Sequence, residues 1–237
     1  MGYTGVEAAH YGGGKFYGVT PEQFKADVEA AGMEVVASHT NRKLSAEELA
    51  SGDLTEALAW WDAAIPAHEA AGMRYVVCPS MTIPETLAGL KVTCDYFNEI
   101  GRKCKEAGMS FGFHNHAREF KKVEDVVIMD YMLQNTDPEL VFFQMDVYWA
   151  VYGNVSPAEY FNKYPGRWKV LHIKDKKEIG QSGMVGFDAV FANAEPAGMV
   201  EFVVEVEGCR NETALEGLRV SADYLLNAPF VAPTYKK

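Results

Sequence analysis

The sequence predicts a parallel (β/α) barrel. Three observations point to it: enough length and apolar content for one large core, a recurrent helix exit, and seven short apolar runs spaced by helix-length segments. The chain has 237 residues, 48% of them hydrophobic, and single α/β barrels commonly occupy this length as one domain. One domain over residues 1–237 is therefore expected. The exit is Ala-Gly-Met, at Ala31-Gly32-Met33, Ala71-Gly72-Met73, Ala107-Gly108-Met109 and Ala197-Gly198-Met199. A glycine just past a helix supplies the left-handed backbone that ends it, and each of these exits leads into an apolar run.

Taken in order, the first run is Tyr3 to Glu7. Thr20-Pro21-Glu22-Gln23 then offers a capping residue, a proline at the first helical position and a glutamine at the capping-box position, which predicts a helix from Pro21 to Ala31. Strands follow at Glu34 to Ser38, Tyr75 to Cys78, Ser110 to His114, Val141 to Asp146, Lys169 to Lys174 and Glu201 to Glu205. The intervening segments predict helices over Thr55–Ala71, Glu85–Ala107, Val123–Asn135, Phe187–Ala197 and Glu212–Asn227. Short apolar strands alternating with amphipathic segments are the pattern of parallel β/α units.

Seven strands are one fewer than a closed (β/α)8 barrel needs. Met1-Gly2-Tyr3 reads as the end of a further helix exit, so a first βα unit is expected ahead of Met1. An open barrel edge must be covered or paired, which makes a homodimer the assembly to test. The competing architecture, a doubly wound open sheet, would carry a Gly-x-Gly-x-x-Gly turn after an early strand, and no such turn occurs.

The formal net charge of -11 offers no broad attraction to nucleic-acid phosphates. Nucleic acid is not an expected partner. No run approaches about 18 consecutive apolar residues, so no membrane span is expected either. Cys78, Cys94, Cys104 and Cys209 lack Cys-x-x-Cys spacing and read as thiols of a reducing compartment. A cytoplasmic location is the expectation, with a leader ahead of Met1 left open.

Catalytic groups of a parallel barrel sit at the carboxyl ends of its strands, and the polar residues gather there. His39, His114, His116 and His172 close or follow strands, His10 trails the first, and only His68 falls in a helix, as a solvated or packing residue. Glu7, Asp146, Asp175, Glu205 and Glu207 occupy strand ends, and Glu119 lies just beyond one. Because side chains alternate faces along a strand, Glu205 shares a face with Glu207, His172 with Lys174, and His114 with His116. Singly, a strand-end aspartate such as Asp146 is as readily a helix cap, and a strand histidine such as His39 a hydrogen-bonded core residue. Jointly, so many polar groups where apolar ones belong would be costly without a common partner. Such oxygen and nitrogen ligands suit Mn²⁺, Mg²⁺, Co²⁺ or Zn²⁺.

Phe111-Gly112-Phe113-His114-Asn115-His116-Ala117-Arg118-Glu119-Phe120, Met145-Asp146-Val147-Tyr148-Trp149, Tyr164-Pro165-Gly166-Arg167, Leu171-His172-Ile173-Lys174-Asp175 and Val203-Val204-Glu205 together resemble the sugar phosphate isomerase/epimerase family. That family belongs to the xylose-isomerase-like TIM barrel superfamily, with endonuclease IV, tagatose epimerases and inosose dehydratases. The likeness covers nearly the whole chain. It implies a (β/α)8 barrel holding a divalent metal through Glu, Asp, His and Glu of successive strands. The Asp matches Asp146, the His matches His172 and the last Glu matches Glu205. The first Glu is assigned to Glu119, with His114 and His116 as the alternatives. The family also has a strand ahead of the one at Tyr3.

The expected activity is metal-dependent isomerisation or epimerisation of a small sugar, by removal of a proton next to a carbonyl through an enediolate. Glu205 is expected to combine ligation with base chemistry, Glu119 or His116 to act as its partner, and Lys174 to anchor the substrate and polarise the carbonyl. Trp149, Tyr148 and Phe113 would form an apolar wall, and Glu7, His39 and His114 would complete the rim. Loss of water from a keto-sugar or inosose on the same site is the alternative chemistry, and a non-catalytic carbohydrate-binding barrel the alternative class. An endonuclease-like activity would need more ligands and a basic rim.

Overall fold

The computed structural model describes residues 1–210 and 213–236, and in it the four Ala-Gly-Met segments end helices as their composition predicts. Gly32, Gly72, Gly108 and Gly198 have φ of 75°, 75°, 76° and 78°. The methionine after each donates its backbone N–H to a carbonyl five residues back, Val28, His68, Cys104 and Ala194 respectively. That is the Schellman pattern, which satisfies carbonyls the helix leaves open.

The strands are β1 (Gly5–Ala8), β2 (Glu34–His39), β3 (Tyr75–Cys78), β4 (Ser110–His114), β5 (Val141–Asp146), β6 (Val170–Lys174) and β7 (Glu201–Glu205). They make the seven-stranded sheet of the expected barrel class. The helices are α1 (Pro21–Ala30), α2 (Ala46–Ser51), α3 (Thr55–Ala70), α4 (Leu87–Glu106), α5 (Ile128–Asn135), α6 (Val147–Tyr152), α7 (Pro157–Lys163), α8 (Phe187–Ala192), α9 (Ala194–Ala197) and α10 (Ala214–Asn227). Of the last predicted helix, Glu212 lies outside the described residues. α10 itself starts at a Thr213 cap whose side chain accepts from the Glu216 amide.

The chain divides into two compact units. The first comprises residues 5–114 and 119–142, the second residues 1–4, 115–118 and 143–237. In the first unit β1 pairs with β2, β2 with β3 and β3 with β4, all parallel, with a register shift in β1 between Val6 and Glu7. Its core is built from the buried stripe of α4, including Leu90, Cys94, Phe97 and Cys104, against Phe111 and Phe113 of β4. A Cβ on Gly101 of α4 would stand 2.4 Å from the Leu140 carbonyl oxygen, so the approach of that helix requires glycine. In the second unit β6 pairs with β5 and β7, in a register that sets His172 beside Asp146 and Val203, and Lys174 beside Glu205.

Three predicted helices change on folding. Val123–Asn135 begins as a tight hairpin, Lys122–Val123 against Val126–Val127, and only Ile128–Asn135 is helical. Glu124 and Asp125 both take positive φ, 47° and 66°, the geometry of a two-residue hairpin turn. Phe187–Ala197 breaks at Asn193 into two short helices. Glu85–Ala107 starts later, at Leu87, because Thr86 caps it. His68 is fully buried, which settles its packing role and excludes the solvated one.

Candidate metal centre at the ends of β5, β6 and β7

Asp146 ends β5 and opens α6. Its Oδ1 accepts the Trp149 backbone N–H at 2.8 Å, so it is a helix cap, as its position alone suggests. Its backbone is gripped by Asn115, whose Oδ1 accepts from the Asp146 N–H at 3.0 Å and whose Nδ2 donates to the Asp146 carbonyl at 3.3 Å. The second carboxylate oxygen, Oδ2, is buried without a hydrogen-bond partner. A capping role does not account for that oxygen.

The registers of β6 and β7 bring the other groups alongside. His172, in line with Asp146, has its Nδ1 2.5 Å from Glu205 Oε2. Asp146, His172 and Glu205 each present a ligand atom within 4.8 Å of the others. Burial pushes the Asp146 carboxyl up from its ordinary value of 3.8 to about 8, and repulsion from Glu205 adds to this. His172, the Trp149 amide and Lys174 act in the opposite direction. The site thus places a poorly solvated carboxylate beside a second carboxylate and an imidazole. A divalent cation would satisfy the orphaned oxygen and relieve the repulsion, and the donor set of two carboxylates and one imidazole suits such an ion.

Lys174, two residues beyond His172 on the same face, is also buried. Its ammonium lies 2.9 Å from Glu207 Oε2 and 3.6 Å from Glu205 Oε1, and 5.8 Å from the centre of the Tyr148 ring. Tyr148 and Trp149 pack edge to face at 5.3 Å, and Trp149 lies 5.4 Å from the His116 ring. His116 shares this unit but does not join Asp146, His172 and Glu205 within that distance. Asp175 is committed to its own loop, accepting from the Lys176 amide and from the Ser182 amide and hydroxyl.

The remaining predicted residues belong to the first unit. Glu7 Oε1 lies 3.1 Å from His39 Nε2, and the His39 and His114 rings meet at 4.9 Å. Glu119 is fully buried in a 3-10 turn, Ala117–Phe120, and is in no metal-capable group among the described residues. Sequence reasoning passed over Asn115, whose position between two histidines drew attention to its neighbours. It noted Glu207 as a strand-end carboxylate without giving it a role.

Comparison with known proteins agrees with this architecture. Residues 1–227 match the family described as xylose isomerase-like TIM barrel. A sugar phosphate isomerase/epimerase from Parabacteroides distasonis is 36% identical with a TM-score of 0.89, over 98% of this chain and 89% of that one. A crystal structure of IOLI protein with a bound zinc atom shares the fold at 14% identity and a TM-score of 0.68, over 91% of this chain and 82% of that one. An inosose dehydratase from Geobacillus kaustophilus is 28% identical over 130 residues, 55% of this chain. This chain spans only 41% of that dehydratase's length. With its strands, its helix exits and nearly its whole length accounted for, the chain belongs to the xylose isomerase-like TIM barrel family.

Proposed function

We propose that the protein is a divalent-metal-dependent enzyme that removes a proton next to the carbonyl of a small sugar or sugar derivative, so isomerising or epimerising it. The observation that carries this reading is the convergence of Asp146, His172 and Glu205, together with the buried, partnerless Oδ2 of Asp146. Those three residues would hold the ion. A bound divalent cation supplies Lewis-acid stabilisation of the negative charge that develops as the proton leaves. Glu205 takes up that proton, a role supported by its being less buried than Asp146, with its side chain 23% exposed. Lys174 keeps the Glu205 carboxylate in position through its ammonium and orients the carbonyl oxygen. Trp149 and Tyr148 form the apolar wall against one face of the sugar. Glu7, His39 and His114 contact substrate hydroxyls, and Glu119 or His116 returns the proton. The fourth ligand is drawn from Glu119, His114 and His116; cobalt titration of Glu119→Gln, His114→Asn and His116→Asn identifies it as the variant whose affinity falls.

The inosose dehydratase relatives favour a second reading, in which the same proton removal is followed by loss of a β-hydroxyl. Incubating the metal-loaded protein with keto-sugars and keto-cyclitols in heavy water separates the outcomes by NMR. Deuterium beside the carbonyl with the number of hydroxyl groups unchanged supports isomerisation or epimerisation. Deuterium with loss of a hydroxyl supports dehydration. No exchange in any substrate, with cation bound, favours a non-catalytic binding barrel. The working location is the cytoplasm, in keeping with four scattered cysteines without Cys-x-x-Cys spacing; among the described residues no helix is long and apolar enough to cross a membrane. A homodimer is the assembly to look for.

A further inference from the structure

We infer that Glu207 is a specificity-determining residue that makes this centre select an uncharged carbohydrate and reject phosphorylated or carboxylated ones. The inference rests on the proposed metal-dependent sugar chemistry and specifies its substrate class. It starts from Lys174, the buried cation beside the chelating residues and the natural anchor for a phosphate or carboxylate. That cation already faces two carboxylates, which leaves one of its three N–H donors for a neutral carbonyl oxygen. Its Nζ stands 2.9 Å from Glu207 Oε2 and 3.6 Å from Glu205 Oε1. Glu205 alone would suffice for ligation and proton transfer, so ligation does not explain Glu207. Glu207 lies two residues beyond Glu205, with its side chain 56% exposed against 2% for Lys174, so the carboxylate covers the ammonium from the solvent side.

Charge points the same way. Asp146, Glu205 and Glu207 balance Lys174 and a divalent cation, leaving these groups together without net charge. A phosphate brought against Lys174 would first have to displace Glu207 from a contact already made, in a set whose charges already balance. A neutral polyol meets no such penalty. Discrimination of this kind rests on a repulsive group as much as on attractive ones.

The test uses inorganic phosphate as the probe and thermal stability as the readout, on the full chain. With about 10 mM phosphate, wild type shifts by less than a degree, whereas Glu207→Gln, with Lys174 uncovered, gains about 2 °C or more. Glu207→Gln combined with Lys174→Gln loses that gain, which assigns it to the ammonium. Phosphate stabilisation of wild type that Lys174→Gln abolishes would overturn the inference, because Lys174 would then be an open anion site. So would a Glu207→Gln variant that folds, by circular dichroism, and gains nothing. Cobalt titration of the same proteins keeps the two readings apart: absence of cation binding sinks the proposed chemistry, while the phosphate response reports on Glu207 alone.

Discussion

The strand ends of the two units carry different chemistry although both are built from histidine and carboxylate. In the first, one carboxylate, Glu7, meets the imidazole of His39, whose ring packs on His114. In the second, Asp146, Glu205 and Glu207 surround one imidazole and one ammonium. The first has a carboxylate oxygen matched to a ring nitrogen. The second has a fully buried carboxylate oxygen with nothing to match it. Similar residue types at strand ends thus differ in whether every carboxylate oxygen finds a partner within the protein, and Asp146 Oδ2 is the one left for a cation to satisfy.

The largest expected effect is on turnover. Glu205→Gln lowers turnover on the substrate identified in heavy water by about 10²–10⁴-fold, with the far-ultraviolet circular dichroism unchanged, while Glu7→Gln costs much less. Equal losses would erase the contrast. Removing the cation comes next. A chelator such as EDTA lowers the melting temperature by several degrees, as expected when an ion held far above its Kd stabilises a chain of this size, and Asp146→Asn abolishes that response. A chelator response surviving in Asp146→Asn would place the ion elsewhere.

A third prediction concerns the histidines of the first unit. His68 is buried, its Nδ1 2.8 Å from the Ala64 carbonyl and its Nε2 2.7 Å from the Thr40 hydroxyl, an arrangement that satisfies the neutral ring. Burial lowers its pKa from 6.5 to about 4. The unfolded chain therefore binds a proton that the native state refuses. This contribution to stability is intact above pH 6.5, declines as pH falls from 6.5 towards 4, and levels off below, by up to about 3 kcal/mol in all. Denaturant titrations should show a flatter acid limb in His68→Gln. An unchanged slope would show that His68 titrates normally. The smallest effect is at Asn115, which holds the Asp146 backbone from outside the donor set. Asn115→Leu should weaken cobalt binding about tenfold, within the range for residues that orient ligands. Unaltered affinity would mean that the β5 strand fixes Asp146 by itself.

Much of this was legible in the chain before folding. Asp146 and Glu205 stand out because each closes an apolar run and His172 because it interrupts one, while the resemblance to the family singled these three out from the other polar groups near strand ends. The helix exits were equally plain, because glycine at a left-handed position has a direct steric cause. The hairpin at residues 122–127 was not, since Val-Glu-Asp-Val continues the amphipathic pattern of α5 and its turn uses Glu124 and Asp125 where glycine would have declared it. Helices α2, α6 and α7 were missed because six or seven residues carry too little periodicity. Their caps alone, Ser45, Asp146 and Ser156, could have revealed them. Glu207 drew no role because its importance depends on where Lys174 ends, which register decides.

The division of labour within Asp146 has an entropic consequence. One oxygen is pinned to the Trp149 amide and the backbone is clamped on both sides by Asn115, so the carboxylate would have almost no torsional freedom left to lose if its other oxygen took up an ion. The ordering that a flexible chelator undergoes at the moment of capture would then be completed already during folding. Under the proposed metal chemistry, selectivity among divalent ions would rest on how well each fits a fixed oxygen, since the aspartate would not swing to accommodate a poor match.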